Sequence, residues 1–424
     1  MTLVRRFLRK PTLLRTRGLH ASAPRERLPL VIATVGIGLA ITTRYVIRAQ
    51  ERVRMQREAE ENGTSTTGQR ARLVLGLDLG SVHARACGLD VDRPNHYSFA
   101  VERMAVQIRH GQLVVGDLAT KNAVQNLRDA LLKPRGESIL QEDDVSVDSV
   151  LEILTETLHG SVRSSLEMPE AFDERTACVL ALPSAFNSEP SHARLRELLG
   201  HAGLDVLDFV PEPVAAVLAV DEPLEDQTVA VFDMGGTVST CSILDLSSPS
   251  PTVLSSISST TLSGDGVTAQ IVDYLAQTFE DKHGIDLRQD SLAVERLFQA
   301  AEAAKHELST GRRVTQVHLP FITADQRGAK HLEQSINAAT MQRLMDPSLT
   351  QSAELCHQAM RAANVSSVDA VVMAGGGLKS PILQTHILHA GFPSATLVHL
   401  ATQVDQAVAL GATKRAQQLL DEDE

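Results

Sequence analysis

The sequence has no tryptophan, and aromatic residues make up only 3% of its 424 residues. Proteins that bind single-stranded nucleic acid stack bases on aromatic side chains, and aromatic sugar-binding surfaces need the same residues, so both classes are disfavoured. Cysteine is also scarce, and none of the four stands at the spacing of a zinc ligand pair. We therefore expect no zinc site. We interpret the cysteines as free thiols of a reducing compartment, with a disulfide as the alternative.

Acidic residues are rare only at the N-terminal end. Residues 1–57 contain twelve Arg and one Lys but two Glu, whereas the whole chain has a formal net charge of −12. The body of the chain is therefore strongly acidic, which argues against a nucleic acid as partner. With 43% hydrophobic residues, the chain can bury a core, and its length suits two or three domains or one bilobal enzyme.

Residues 1–27 have the composition of a mitochondrial transit peptide. They are rich in Arg, Leu and hydroxylic residues, and they contain no acid before Glu26. The segment RGLHASA resembles a presequence cleavage region. A disordered basic tail is the alternative interpretation. We predict a mitochondrial protein.

Residues 28–48 contain a long apolar segment. Leu28 to Thr43 carries no charge, and about sixteen helical residues would span roughly 24 Å, slightly less than a ~30 Å hydrocarbon core. We predict a marginal membrane helix, placed in the mitochondrial inner membrane, with a helix packed against protein as the alternative. Residues 49–72 are charged and then rich in Gly, Ser and Thr, which predicts a helical stem and a flexible linker.

From Leu73 onward, β-runs alternate with helical stretches, which predicts an α/β fold. Three of these runs end in glycine turns: LVLGLDLGS, TVAVFDMGGTVSTCSILDL and DAVVMAGGGLKSPIL. In the first two runs an Asp stands two residues before the glycine, namely Asp78 before Gly80 and Asp233 before Gly235. The repeated unit predicts an internal duplication, with one copy in each of two lobes.

The residue types of these turns suit a nucleotide bound between two lobes. Glycine lets backbone N–H groups approach phosphate oxygens, and a carboxylate beside the turn can hold Mg²⁺ through its waters. The third turn has no Asp, and its glycines suit contact with a flat base and ribose. Each turn alone is also explained as a tight turn, but three in this order favour a nucleotide. Neither a Walker A loop nor a dinucleotide-binding fingerprint occurs.

The order of motifs resembles the nucleotide-binding domain of the 70-kDa heat-shock chaperones, of the DnaK and mitochondrial type. The resemblance runs from about Leu73 to about Leu420. Besides the three turns it rests on VGDLATKNAVQN, VLALPSAFNSEPS, VPEPVAAVLAV, AAEAAKHELST, LPFITADQRGAKHLEQSINAATM and TQVDQAVALGA. It implies an actin-like ATPase fold, with two lobes each built on a duplicated RNase H-like α/β unit and a nucleotide cleft between them. The corresponding domains are lobe I at 73–243, lobe II at 244–420 and an acidic tail at 421–424.

Position by position, the resemblance implies a set of site residues with ATP or ADP and Mg²⁺ as ligands. Asp78 and Asp233 would hold the hydrated Mg²⁺, and Glu212 would activate or orient the attacking water. The residues implied in nucleotide binding are Gly80, Ser81, Gly235, Gly236, Thr237, Glu302, Lys305, Ser309, Gly375, Gly376, Gly377 and Asp405. The resemblance does not decide which residue takes the place of the family's phosphate-contacting lysine. Lys133 fits only with a gap in the alignment, and an ungapped alignment leads to Arg135.

Several positions depart from the family pattern. In the second turn, Val238 removes a hydroxyl that would meet the γ-phosphate, and Thr240 replaces a carboxylate near the metal. Val82 stands at a threonine position of the first turn, and His306 replaces the arginine that stacks on adenine. Such losses weaken transition-state stabilisation more than ground-state binding. We therefore expect the protein to bind nucleotide and to hydrolyse it slowly.

Two features concern partners. The chain stops near Glu424, so the family's substrate-binding domain is expected to be absent. Asp208 stands where the family has an arginine that helps receive a J-domain, so J-domain stimulation is in doubt, whereas a nucleotide-exchange factor or another chaperone stays a candidate. The predicted function is a slow Mg²⁺-dependent ATPase that acts as a conformational switch in protein folding and quality control. The alternative is a catalytically impaired, nucleotide-sensing scaffold.

Overall fold

The computed structural model describes residues 72–109, 112–119, 123–125, 127–130, 138–140, 145–168, 176–183, 186, 188–248 and 250–422. The predicted transit peptide, the predicted membrane helix and nearly all of the predicted linker lie outside these residues, as do Lys133 and Arg135. Within the described part, no helix combines the length and the apolar character needed to cross a membrane.

Two five-stranded sheets form the framework of the described chain. The strands are β1 (Leu73–Leu79), β2 (His83–Asp90), β3 (Tyr97–Arg103), β4 (Ala105–Arg109), β5 (Gln112–Val115), β6 (Val124–Gln125), β7 (Ser138–Leu140), β8 (Val145–Ser146), β9 (Thr176–Leu182), β10 (Leu204–Pro211), β11 (Thr228–Met234), β12 (Ser239–Asp245), β13 (Thr252–Ser259), β14 (Val314–Asp325), β15 (Gly328–Asn337), β16 (Ala370–Ala374) and β17 (Thr396–Leu397). The α-helices are α1 (Leu127–Ala130), α2 (Val147–Ser165), α3 (Glu189–His201), α4 (Glu212–Leu218), α5 (Gly264–His283), α6 (Ser291–Ser309), α7 (Ala338–Ala363), α8 (Pro381–His386) and α9 (Ala407–Glu422).

The two large sheets have the same topology. Sheet I has the strand order β10-β9-β1-β2-β3, and sheet II has the order β13-β12-β11-β16-β17. In each sheet the first three strands along the chain are antiparallel neighbours, and two parallel strands are added beside the first of them. This repeat confirms the predicted duplication, and the mixed α/β architecture agrees with the actin-like fold that the resemblance implies.

Sheet II begins earlier in the chain than the domain boundary predicted between residues 243 and 244. β11 starts at Thr228 and pairs with β12 along its whole length, so the predicted boundary falls inside β12. Because β11 and β12 are the two paired strands of one hairpin, they belong to the same sheet. The two sheets therefore divide before Thr228. The end of the chain also returns to the first lobe, because α9 packs against β1 and β9.

The two equivalent hairpins place the two aspartates in equivalent positions. In the β1–β2 hairpin Asp78 lies directly opposite Arg85, and in the β11–β12 hairpin Asp233 lies directly opposite Thr240. Directly opposite residues of antiparallel strands project from the same face of a sheet. Arg85 and Thr240 are therefore equivalent positions of the duplicated unit.

A hydrophobic layer joins the two sheets and includes α4 and α9. It combines side chains of sheet I such as Val179, side chains of sheet II such as Val372, and small residues of both helices. Glycine permits the close approach, because a Cβ on Gly76 would overlap the backbone of α9 and a Cβ on Gly411 would overlap the carbonyl of Ala215 in α4. The opposite face of each sheet is covered by a further core of its own.

The four cysteines are free thiols in these cores, as interpreted from the sequence, and all four are buried. Burial raises the pKa of Cys87 to about 12, in spite of a hydrogen bond with Thr413. The Cys87 thiol therefore stays neutral at physiological pH and packs as a small apolar side chain.

Candidate functional site

The three predicted glycine turns, which follow β1, β11 and β16, meet at one place. The side chain of Val82 in the first turn lies against Gly236 in the second, where a Cβ would overlap it. Gly375 in the third turn has a φ of 90°, and a Cβ there would overlap the carboxylate of Asp233. Position 375 therefore requires glycine both for its left-handed backbone and for its close contact with the end of β11.

Backbone hydrogen bonds hold the second and third turns in shape. The N–H of Gly235 donates to the carbonyl of Val238 at 2.9 Å, which closes the second turn. The N–H of Gly375 donates to the carbonyl of Val404 at 2.8 Å. This bond connects the third turn to the segment before α9, so Asp405 lies beside the turn.

Three carboxylates come together at these turns. Asp78 and Asp233 are the penultimate residues of β1 and β11, and Glu212 begins α4 directly after β10. Burial, followed by repulsion from Asp233 and Asp78, raises the pKa of Glu212 to about 8. Burial and the charge of Asp78 raise the pKa of Asp233 to about 6, and burial raises the pKa of Asp78. Without a bound cation the cluster therefore retains protons at neutral pH.

Two arginines that the sequence reasoning missed lie beside these carboxylates. Nη1 of Arg128, in α1, is 3.8 Å from Oε1 of Glu212. Nη2 of Arg85, in β2, is 3.4 Å from Oδ2 of Asp405. The register of the first hairpin was a usable signal for Arg85, because counting outward from the turn places position 85 opposite Asp78. No local pattern points to Arg128, which is brought to the site by packing of a four-residue helix.

The residues predicted to contact ribose and base on α6 take part in an internal network. Nζ of Lys305 lies 2.7 Å from Oε2 of Glu302 and donates to the hydroxyl of Thr268 at 2.9 Å. Burial raises the pKa of Glu302, but hydrogen bonds from His306, Lys305 and Thr268 outweigh it and lower the pKa to about 2. The hydroxyl of Ser309 instead donates to the carbonyl of Lys305 within the helix, at 2.9 Å. Glu302 and Lys305 therefore face α5, whose first residue, Gly264, donates its N–H to the carbonyl of Gly235 in the second turn at 3.0 Å.

Asp405 connects the third turn to two cations. Its Oδ2 is 2.8 Å from Nζ of Lys379, a further residue that the sequence reasoning missed, and 3.4 Å from Nη2 of Arg85. Its Oδ1 is buried without a hydrogen-bond partner among the described residues. Gly376 leaves room here, because a Cβ on it would come 3.9 Å from the Cβ of Asp405 and 4.0 Å from Nη2 of Arg85. These four residues line one side of the site.

Two polar residues that depart from the family pattern bond within the protein. The hydroxyl of Thr240 pairs with that of Ser258 at 2.9 Å, and Nε2 of His306 pairs with Oε1 of Glu302 at 2.9 Å. Neither side chain supplies a carboxylate or a guanidinium at its position.

The donor set of the site fits a hydrated divalent cation. The three carboxylates, Asp78 buried and the other two largely buried, repel one another, and a cation would relieve that repulsion. Across the described ranges, no three acidic, imidazole or thiol groups are placed to bind one ion directly. An ion that keeps its own waters between itself and the carboxylates, as Mg²⁺ commonly does, agrees with both observations.

Comparison with known protein families gives an independent result. The model of the family described as Hsp70 protein matches residues 149–423, which is more than half of the chain. The matched range includes Glu212, Asp233, the second and third turns and α6 to α9. It begins after β1 and its turn, whose place in the fold is established by the equal topology of the two sheets. The chain belongs to the Hsp70 family.

Proposed function

We propose that the protein binds ATP or ADP with Mg²⁺ at the three glycine turns and hydrolyses ATP slowly. The observation that carries this proposal is the convergence of Asp78, Asp233 and Glu212 beside glycine turns from both sheets. Membership of the Hsp70 family, whose members bind adenine nucleotides with Mg²⁺, supports the same ligands here. A nucleotide that contacts turns of both lobes favours one angle between them, and this angle sets the affinity for a partner in protein folding and quality control.

The proposed roles follow the chemistry of each group. Asp78 and Asp233 hold the hydrated Mg²⁺, and the N–H groups of the first two turns receive the phosphate oxygens. Glu212 accepts a proton from the water that attacks the γ-phosphate, which yields ADP and inorganic phosphate. Arg128, 3.8 Å from Glu212, orients that carboxylate and offsets negative charge near the phosphates. The third turn and α6 contact the nucleoside.

A nucleotide-sensing scaffold without turnover is the second candidate. It is favoured by the apolar side chain of Val82, which packs on Gly236 where the first two turns meet. Val238, in the second turn, likewise offers no hydroxyl to a phosphate oxygen. Apolar groups cannot stabilise charge that develops in the transition state. The rate of hydrolysis is therefore reduced more than the affinity for nucleotide. The two candidates share one binding site and differ in turnover.

The proposed subcellular location of the protein is the mitochondrial inner membrane. We take it as a mitochondrial, DnaK-like member with an address at residues 1–27, an inner-membrane helix at 28–48, a linker at 49–72 and the two nucleotide-binding lobes beyond it. Composition supports each of the first three segments. A fluorescent reporter fused after residue 50 is expected to enter mitochondria and to stay with the membrane fraction after alkaline carbonate extraction. A cytosolic or secreted reporter would contradict the address.

The proposed partners are a nucleotide-exchange factor or another chaperone. A J-domain is a weaker candidate, because Asp208 carries the charge opposite to that of the family's arginine. In the structure Asp208 is 3.5 Å from Nε of Arg415 in α9, so its carboxylate already has a basic neighbour within the chain. The acidic body of the protein also disfavours nucleic acid.

Titration calorimetry of the full-length chain with ADP tests the proposed site. Wild type is expected to bind ADP more tightly with Mg²⁺ than with EDTA. Replacing Asp233 by Asn removes a charge that holds the ion, so the ratio of the two dissociation constants is expected to fall to about 1. Asp273→Asn, on the exposed face of α5, is the matched control.

Two results would count against the proposal in different ways. The same Mg²⁺ dependence in the Asp233 variant and in wild type would remove the site assignment. Failure of wild type to bind ADP under either condition would remove the proposed function itself. A melting temperature equal to that of wild type in both variants will show that the fold is intact.

A further inference from the structure

Arg85 is a charged residue of the site to which neither the family resemblance nor the proposed function gives a role. It lies in β2, directly opposite Asp78, and its side chain is only 16% exposed. Its Nη2 is 3.4 Å from Asp405 and would be 4.0 Å from a Cβ on Gly376. The guanidinium therefore reaches from sheet I to the third glycine turn, which belongs to sheet II. It crosses the space in which the proposed nucleotide joins the two lobes.

The duplication shows that this cation is present in one lobe only. The equivalent position in sheet II is Thr240, which faces Asp233 and bonds to the hydroxyl of Ser258. The first aspartate therefore has a fixed positive charge across the hairpin, and the second has a neutral hydroxyl.

The contact between Arg85 and Asp405 is replaceable. Its length of 3.4 Å exceeds the roughly 2.7–2.9 Å of a strong charge-assisted hydrogen bond. Nζ of Lys379 lies 2.8 Å from the same carboxylate oxygen, so Asp405 keeps a cationic partner if Arg85 turns away. A guanidinium has five N–H donors in a planar fork that matches the oxygens of a phosphate. If a phosphate replaces Asp405 as the partner of Arg85, the guanidinium gains hydrogen bonds. Asp405 is not left as an unpaired charge, because Lys379 stays beside it.

We propose that Arg85 is a cation built into the nucleotide site, which binds phosphate oxygens of an adenine nucleotide directly and makes nucleotide binding largely independent of Mg²⁺. The inference rests on the proposed function. A fixed guanidinium balances the charge of the carboxylates that a divalent ion would otherwise balance, and it repels that ion. Mg²⁺ therefore adds less than about tenfold to the affinity for ADP.

The test compares ADP binding with Mg²⁺ and with EDTA, by titration calorimetry on the full-length chain. Arg85→Ala is expected to weaken binding in EDTA by roughly 30-fold or more, because charge-assisted bonds to phosphate are lost. In Mg²⁺ the loss is expected to be severalfold only, since the ion gains access to the carboxylates. Binding of adenosine, which has no phosphate, is expected to stay unchanged.

Two further variants keep the test independent of folding. Arg103→Ala removes the same charge from the neighbouring strand of sheet I and is expected to bind ADP as wild type does. Arg85→Lys retains the charge without the fork and is expected to recover part of the binding in EDTA. Melting temperatures of all variants identify any variant that does not fold. If Arg85→Ala does not fold, Arg85→Lys is compared with wild type in its place.

The outcomes separate this inference from the proposed function. If EDTA weakens wild-type binding more than tenfold, or if Arg85→Ala binds ADP in EDTA as wild type does, Arg85 is not the cation of the site, although the protein still binds Mg²⁺–nucleotide. If Arg85→Lys binds in EDTA no better than Arg85→Ala, the charge of Arg85 is not what matters. If wild type binds no ADP in either condition, both proposals fall.

Discussion

Hydrolysis of ATP in a single-turnover experiment is expected to slow by about 100-fold or more when Glu212 is replaced by Gln. The amide keeps the size of the side chain and its place at the start of α4, directly after β10, but it cannot accept a proton from the attacking water. General-base catalysis typically contributes 10²–10⁴-fold to a rate, and this sets the expected range. Affinity for ATP is expected to change little, because the proposed role of Glu212 is in the reaction.

The dependence on pH gives a second readout of the same residue. A general base works in its deprotonated form, so the rate is expected to rise with pH as Glu212 loses its proton. Burial, and then the charges of Asp233 and Asp78, hold the pKa of Glu212 at about 8. Bound Mg²⁺ offsets the charges of Asp233 and Asp78 and so lowers the pKa of Glu212 below that value. The rate is therefore expected to rise with pH and to reach its plateau at or below about pH 8, and the Gln variant is expected to lose this rise.

The matched control is Glu225→Gln, an exposed acid in the connection between α4 and β11. It is expected to hydrolyse ATP at the wild-type rate. Equal rates in the Glu212 variant and in wild type would exclude the proposed general base. If wild type binds ATP tightly and does not hydrolyse it, the result would instead favour the nucleotide-sensing scaffold.

Gly411→Ala is expected to destabilise the protein by about 3 kcal/mol or more, although Ala is the better helix former. Gly411 lies within α9, and a Cβ there would overlap the carbonyl of Ala215 in α4. A backbone carbonyl cannot move aside as the end of a long side chain can, so one of the two helices has to shift. Overpacking of this kind costs about 1–3 kcal/mol or more, whereas the gain in helix propensity is only about 1 kcal/mol.

Urea unfolding of the variant measures this loss against a matched control. Gly200→Ala, in α3, introduces the same methyl group where no atom lies within 4 Å of the new Cβ. This control is expected to leave stability unchanged or to raise it by up to about 1 kcal/mol. A Gly411 variant as stable as wild type would mean that α4 and α9 do not pack as closely as the structure has them.

The elements that the sequence predicted best are those with a local signature. Asp78 and Asp233 each follow an apolar run and precede a glycine turn, and such a pattern depends on neighbouring residues only. The repeat of that pattern was enough to predict two equivalent lobes, which the topology of the two sheets confirms. An apolar run that ends in glycine, without the Asp, predicted the third turn, where Gly375 has a backbone φ of 90°.

The elements that the sequence did not predict depend on packing between distant parts of the chain. Arg128 is close to Glu212 only because a short helix is packed there, and no pattern around it records that contact. Lys379 and Arg85 meet at Asp405 although Arg85 lies in sheet I and Lys379 follows β16 of sheet II. The predicted boundary after residue 243 falls inside β12, because the local sequence gives no information on which strand begins a sheet.

The position of α9 has a consequence for the timing of synthesis. The hydroxyl of Thr413 donates to the carbonyl of Cys87, across 326 residues of sequence, and Gly76 is covered by the same helix. At roughly 5–20 residues per second, a ribosome makes β1 tens of seconds before it makes the helix that completes the packing of that strand. During this interval the first lobe exposes an apolar face to chaperones and proteases. β1, the earliest translated strand of the candidate site, is thus stabilised by one of the last elements to be made, and in an unfinished chain the three glycine turns are not yet assembled.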